Sequence, residues 1–177
     1  MKITFCGATG TVTGSRYLVE AETNSLLIDC GLFQGYKQYR LRNWEPPPFN
    51  PKALDAIILT HAHLDHSGYL PLLVKNGFAG MVYCTAATRD LCQILLPDSG
   101  RLQEEQSDYA NRHGFSKHHP ALPLYTEQDA VRSLKHLVAV DFEQDFSVAG
   151  FGIRLLPAGH ILGAACIRLT RAGEVVL

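Results

Sequence analysis

The stretch "LTHAHLDHSGYL", residues 59–70, holds three histidines and an aspartate within six consecutive positions, namely His61, His63, Asp65 and His66. Alternate side chains of an extended segment point the same way, so His61 and His63 can bind one metal ion. Asp65 and His66, at the entrance of a predicted helix, point to the opposite side and can bind a second. The alternative is a polar loop in which the histidines cluster by coincidence.

This mixture of ligand types indicates which metals the segment can bind. Imidazole nitrogen combined with carboxylate oxygen suits zinc, manganese or iron. The segment contains no cysteine, which argues against a structural zinc site built on thiolates. Two metal ions about 3.5–4 Å apart can activate a bridging water and stabilise a leaving oxygen. The stretch therefore predicts a hydrolytic metal centre.

Length and composition agree with one globular domain. The chain has 177 residues, of which 46% are apolar and 19% are charged, enough for a single core. Its formal net charge of −1 gives no general attraction to nucleic acid or to anionic lipid. The apolar runs are shorter than a membrane span, and the start "MKITFCGATG" has no apolar signal core, so we expect a cytoplasmic protein that does not bind membranes. Five cysteines without a CxxC pair predict buried thiols in a reducing compartment.

The order of predicted elements favours a layered α/β fold with helices packed on a mixed sheet. Three strands are predicted in the first 30 residues, and "LDAIILT" is a short buried strand that leads into the histidine cluster. Residues 86–114 are predicted to be helical, broken or kinked near Pro97–Gly100. "TEQDAVRSLKHL" is a helix with a capping box formed by Thr126 and Asp129. The remaining segments return to strands, with a last hairpin around Ala172–Gly173.

The chain stops at Val175-Val176-Leu177, within an apolar strand that has no turn or cap. An apolar edge strand of this kind usually pairs with a neighbour. We therefore expect residues 1–177 to be the front part of a longer protein.

Several motifs together resemble one known family. "THAHLDHSGYLP" resembles the HxHxDH motif of the metallo-β-lactamase fold, and its SGYLP continuation is similar to the β-CASP branch, which includes ribonuclease J and the pre-mRNA 3′-end cleavage subunit. Five further blocks resemble that branch in the same order, and so the resemblance spans almost the whole chain: "GATGTVTGSRYLVE", "LLIDCGLFQG", "TAATRDLCQILLPDSGRLQEE", "PLYTEQDA" and "PAGHILGAACIRL".

The resemblance implies an αββα-type sandwich and a role for each site residue. It implies that His61, His63 and His160 bind one metal ion, and that Asp65 and His66 bind the second. Asp65 would also take the proton from the attacking water. Asp29 would orient the site from behind the ligands. The implied ions are two Zn²⁺ per complete domain, or Mn²⁺ instead.

The resemblance also implies that some parts of the family's metal site and domain structure are missing from residues 1–177. The bridging aspartate of the family, the inserted β-CASP domain and a later histidine ligand have no counterpart here, so residues 1–177 read as a partial domain. We expect this chain to bind at most about one metal ion tightly, to show little or no nuclease activity and to be less soluble than a complete protein.

The implied function is a metal-dependent phosphodiesterase that cleaves RNA, or less favourably DNA, with a metal-activated hydroxide. The sequence leaves open whether cleavage is exonucleolytic or endonucleolytic, and also the oligomeric state. Two alternatives remain: a small-molecule hydrolase of the glyoxalase or lactonase kind on the same fold, and a non-catalytic scaffold or fragment.

Three further features have a plainer interpretation that we favour. The glycine-rich segment at residues 7–15 could approach phosphate, but it reads better as a hairpin turn. Basic and aromatic side chains at residues 36–44 could contact nucleic acid, but a solvated face explains them as well. Cys30 is next to Asp29 and is expected to be a small core residue rather than a ligand.

Overall fold

Two stacked β-sheets form the frame of the protein in a computed structural model that describes residues 1–176. Leu177, the predicted end of the last strand, lies outside the described residues. In the first sheet, β1, β2 and β3 are antiparallel neighbours, and β3 to β6 are parallel. Its strands in spatial order are β1 Lys2–Phe5, β2 Tyr17–Ala21, β3 Asn24–Ile28, β4 Ala56–Ile58, β5 Met81–Cys84 and β6 Leu137–Ala139.

The second sheet is antiparallel throughout and comes from the last third of the chain. Its strands follow each other in space in the order of the sequence. The last hairpin turns at Ala172–Gly173, as predicted. The strands are β7 Asp145–Val148, β8 Phe151–Pro157, β9 Ala165–Arg171 and β10 Glu174–Val176.

The helices lie between the strands of the first sheet along the sequence. Helix α4 has 28 residues and continues through Pro97 without interruption, so of the predicted break or kink near this proline the break is wrong. Thr126 and Asp129 form both hydrogen bonds of the predicted capping box. The helices are α1 Lys37–Leu41, α2 Leu64–Ser67, α3 Leu70–Lys75, α4 Ala86–His113 and α5 Glu127–Leu134.

Strand side chains alternate between two apolar cores on either side of the first sheet. One core fills the space between the sheets, where Leu26, Ile28 and Ile58 pack against Ile153 and Leu155. All five are buried. Since successive strand residues face opposite sides, one sheet contributes to both cores.

The other core lies between the first sheet and the helices. Leu27 and Ile57 point to this side and pack with Leu70, Leu96 and Tyr125, all fully buried. The result is a helix layer, a mixed sheet and a second sheet. This confirms the predicted fold class for the N-terminal part of an αββα sandwich.

The candidate site lies at one edge of this frame. Parallel strands β3, β4 and β5 deliver their carboxyl ends to the same edge, where Asp29, the His61 loop and Thr85 follow them. The β8–β9 loop, which contains His160, reaches the same edge from the second sheet, where the Ala165 N–H donates to the Thr60 carbonyl at 2.8 Å. Residues far apart in sequence therefore meet at this edge.

The structure also bears on the predicted burial of the cysteines and on the expected absence of a membrane span. All five thiols are free; Cys6, Cys30, Cys84 and Cys92 are buried. Cys166 is exposed, so the prediction of five buried thiols is wrong at this position, where β9 turns alternate side chains outward. Among residues 1–176, no helix combines the length and the apolar character needed to cross a membrane.

Candidate metal centre

The loop after β4 is held by hydrogen bonds with the neighbouring strand and with the Ser67 side chain. The Leu59 N–H donates to Tyr83 on the neighbouring strand at 2.9 Å. The Ser67 hydroxyl lies 2.9 Å from the Ala62 carbonyl and 3.1 Å from the His63 carbonyl. Helix α2 begins directly after His63. The segment is therefore extended through the first two histidines and helical at Asp65 and His66, as the spacing predicts.

Three histidines from two distant loops meet at one point. His61 Nε2 lies 3.1 Å from His63 Nδ1, and His160 Nε2 lies 3.3 Å from the same His63 atom. His63 and His160 are 97 positions apart in sequence. One nitrogen of each ring lies within 4.8 Å of the other two. The structure thus brings together the three residues expected to share an ion.

The spacing of these nitrogens fits a metal ion better than it fits mutual hydrogen bonds. Two nitrogens each bound at roughly 2.0–2.1 Å to one tetrahedral ion lie about 3.3 Å apart. The two short separations around His63 Nδ1 agree with this value. A single Nδ1 atom also cannot satisfy two neighbouring nitrogens with one proton. The donor set fits Zn²⁺ or another ion that accepts imidazole.

Asp29 lies behind the histidines and orders them. Its side chain is 1% exposed and follows β3 in a left-handed conformation, with φ +57°. It accepts hydrogen bonds from the Thr60 N–H at 2.8 Å, the Thr60 hydroxyl at 2.9 Å, the Ser15 hydroxyl at 3.0 Å and His66 Nδ1 at 2.7 Å. The carboxylate therefore has partners on both oxygens without any bound ion. Asp29 thus contacts His66 directly and is linked to His61 through the Thr60 hydroxyl.

These hydrogen bonds fix the proton positions on two rings. The Thr60 hydroxyl donates its one proton to Asp29, so it accepts from His61 Nδ1–H at 3.0 Å and leaves His61 Nε2 free to bind a cation. Burial, reinforced by the neighbouring His66, lowers the pKa of His61 to about 4, so this ring is neutral near pH 7. Burial also lowers the pKa of His66, but the hydrogen bond and charge of Asp29 outweigh it, and that pKa is raised.

Asp65 and His66 lie beside the three-histidine cluster. His66 Nε2 is 3.6 Å from Asp65 Oδ2, and the His61 and His66 rings are 4.0 Å apart. Within residues 1–176, the three histidines are the only group of three or more donors spaced to hold an ion. Asp65 and His66, the two residues expected at a second metal position, are therefore neighbours in the structure but do not belong to a group of three such donors.

Three further histidines and the cysteine next to Asp29 do not take part in the cluster. His113, His118 and His119 are exposed and outside the cluster. The Cys30 thiol contacts the Ser67 carbonyl at 3.8 Å, and burial raises its pKa well above the ordinary value. Cys30 is therefore a core residue, as expected.

Two residues that position the side chains of the candidate site cannot be recognised from the sequence. The Thr60 hydroxyl contacts both Asp29 and His61. At Gly31, a Cβ would lie 1.6 Å from the Asp65 carbonyl oxygen. Neither role leaves a signal in the sequence, because each depends on the approach of a segment about 30 positions away.

Gly31→Ala is expected to destabilise the fold by about 2 kcal/mol or more, because the added methyl group must displace the backbone that carries Asp65. Urea unfolding monitored by circular dichroism measures the loss. The matched control is Gly152→Ala, where the added Cβ meets the rotatable Thr170 hydroxyl and lies far from the site. Equal losses for both variants would contradict the close approach at Gly31.

Comparison with known proteins places this geometry in a family. The family model described as "Metallo-beta-lactamase superfamily" matches residues 9–177. "Ribonuclease TTHA0252" of Thermus thermophilus is 35% identical over 177 residues, which are 100% of this chain and 37% of that protein. "Transcription termination factor FttA" of Methanocaldococcus jannaschii is 33% identical over 170 residues, which are 96% of this chain and 25% of that protein. The resemblance predicted from the motifs is confirmed, and the chain spans only a quarter to about a third of these relatives.

Solved structures support the same fold. A mutant of the HARLDQ-motif metallo-beta-lactamase from Cronobacter sakazakii aligns with a TM-score of 0.59 and 22% identity, covering 98% of this chain and 58% of that one. The metallo-beta-lactamase fold protein YhfI from Bacillus subtilis aligns with a TM-score of 0.55 and 19% identity, covering 98% and 60%. At these identities the likeness concerns the fold alone.

Proposed function

Because the chain belongs to the metallo-beta-lactamase superfamily, we propose that it carries the metal site of a hydrolase that cleaves phosphodiester bonds in RNA. The observation that carries this proposal is the convergence of His61, His63 and His160. RNA is the proposed substrate because relatives at 33–35% identity are named a ribonuclease and a transcription termination factor. The oligomeric state and the use of DNA are left open.

In the proposed site, His61, His63 and His160 hold one Zn²⁺ or Mn²⁺ ion, and Asp65 with His66 contributes to a second. A bound ion would supply Lewis-acid activation of the phosphate and of the attacking water. Asp29 accepts a hydrogen bond from His66 Nδ1–H at 2.7 Å, which keeps the proton of this ring on Nδ1. His66 Nε2 is then directed toward Asp65.

The proton acceptor in this proposal is the Asp65 carboxylate. Its side chain is 25% exposed, so water can reach it. Asp65 lies in the first turn of helix α2 beside the cluster, and its backbone carbonyl accepts from the Ser15 N–H at 2.8 Å, which fixes its backbone. A carboxylate in this position can take a proton from an attacking water and later return it to the leaving oxygen.

The proposal is tested by assaying the purified chain, loaded with Zn²⁺ or Mn²⁺, on three substrates: a fluorescent single-stranded RNA, a thioester and a lactone. We expect slow cleavage of RNA that requires the metal and stops when a chelator is added. Turnover of the thioester or lactone without RNA cleavage would favour a small-molecule hydrolase. A tightly bound metal with no turnover of any substrate would favour a non-catalytic role.

The cellular location belongs to the proposal as well. Five free thiols, four of them buried, agree with a reducing compartment such as the cytoplasm.

A further inference from the structure

His160 is held differently from the other histidines of the site. His61 and His66 each have a side-chain partner on Nδ1, at 3.0 Å and 2.7 Å respectively. Within residues 1–176, the only polar contact of the His160 ring at hydrogen-bond distance is with His63, and the side chain is exposed. The position of this ring therefore depends on the backbone of the loop at residues 158–164.

Two buried threonines at the start of helix α4 contact that loop. The Thr85 hydroxyl donates to the Gly163 carbonyl at 2.7 Å, and the Thr88 hydroxyl donates to the same oxygen at 3.0 Å. A carbonyl oxygen has two lone pairs and can accept both hydrogen bonds. Thr85 and Thr88 are 3% and 0% exposed, so neither hydroxyl can exchange this partner for bulk water without opening the loop.

The backbone conformation of Gly163 and its lack of a side chain allow this contact. Its φ is +81°, and a Cβ here would lie 2.6 Å from the Thr85 hydroxyl oxygen and 2.7 Å from the Thr88 nitrogen. Only glycine allows the loop to approach the helix this closely in that conformation. The loop is closed internally by the Ala164 N–H on the Ile161 carbonyl at 2.9 Å.

A second anchor connects the same loop to the metal ligands. Directly after it, the Ala165 N–H donates to the Thr60 carbonyl at 2.8 Å, and Thr60 precedes His61. The loop is thus fixed to the β4 side through Ala165 and to helix α4 through Gly163. His160 precedes both attachments in the chain and reaches His63 from the same loop.

We propose that Thr85 and Thr88 are positioning residues of the metal site, whose hydroxyls hold His160 within reach of His61 and His63 by binding the Gly163 carbonyl. The inference rests on the proposed function, since it takes the three imidazoles as the ligands of one ion. Neither threonine contacts the ion; both act through the backbone of the loop.

The test is the double variant Thr85→Val and Thr88→Val, which removes both hydroxyls with little change in volume. Zinc affinity, measured by competition with a chromogenic chelator, is expected to fall about 10- to 100-fold, the usual effect of losing partners that support a metal ligand. The double variant Thr85→Ser and Thr88→Ser keeps both hydroxyls. Its zinc affinity should lie within about threefold of wild type, well below the effect of losing the hydrogen bonds that support a metal ligand.

The matched control is Thr126→Val. Thr85 and Thr126 both cap a helix by accepting a backbone N–H three residues ahead, but Thr126 caps α5, away from the His160 loop. The positioning role is overturned if the valine pair binds zinc as tightly as wild type. It is also overturned if the loss of zinc affinity in the valine pair is no larger than the loss in Thr126→Val.

Hydrogen exchange of the metal-free protein keeps this inference separate from the proposed function. The Ala164 and Ala165 amides should exchange faster in the valine pair than in wild type, the serine pair or the Thr126 variant. If wild type binds no zinc, the proposed function fails, and the exchange rates still decide whether the threonines hold the loop. Unchanged protection of both amides would overturn the inference.

Discussion

His63→Ala is expected to lower the affinity of the chain for Zn²⁺ by more than about 100-fold. Loss of a residue that only hydrogen-bonds a metal ligand already costs about 10- to 100-fold in affinity, and loss of the ligand itself should cost more. His63 Nδ1 is the atom that both His61 and His160 approach, at 3.1 and 3.3 Å. Its loss leaves two imidazoles, too few for a tight zinc site. Isothermal titration with Zn²⁺ measures the change.

The control for this variant is His118→Ala, an exposed histidine in the loop between α4 and α5. It should bind zinc as wild type does. Because His63 is also exposed, the thermal unfolding of the metal-free His63→Ala protein should match that of wild type. Wild-type affinity in His63→Ala would contradict the assignment of this residue.

In the full-length protein, Asp65→Asn is expected to reduce RNA cleavage by about 100- to 10,000-fold, the usual contribution of a positioned proton acceptor. An amide cannot take a proton from water, and it is a poorer metal ligand than a carboxylate. The fold should be retained, because the hydrogen bond from Ser15 uses the backbone carbonyl of Asp65. Single-turnover cleavage with enzyme in excess and saturating metal measures the loss.

Asp108→Asn is the matched control, because Asp108 is an exposed acid on α4 outside the site. It should cleave RNA at the wild-type rate. If Asp65→Asn also cleaves at that rate with saturating metal, Asp65 does not act as the proton acceptor.

Local sequence patterns predicted most of the strands and the start of helix α5. Alternation and short apolar runs identified the strands around the site, and the capping box identified the start of α5. The spacing of His61 and His63 predicted that they would face one point, because side-chain direction in an extended segment depends only on the local backbone. Such features need no knowledge of distant residues.

The features that sequence reasoning missed depend on tertiary contacts. Helix α4 continues through Pro97, where a local rule predicts a break or a kink, because packing of buried neighbours such as Leu96 and Ser99 stabilises the helix. The left-handed α-region conformation of Asp29 and the approach of Gly163 to Thr85 involve segments brought together only by the fold. Positioning of the site is therefore less visible in the sequence than its ligands are.

X-ray absorption at the zinc edge of the Zn²⁺-loaded chain tests the central claim most directly. Coordination by His61, His63 and His160 predicts imidazole nitrogens at roughly 2.0–2.1 Å and no sulfur. The spectrum should lose its imidazole signal in the triple variant His61→Ala, His63→Ala and His160→Ala. Sulfur scattering at roughly 2.3 Å, or an unchanged spectrum in the triple variant, would show that these histidines are not the metal site.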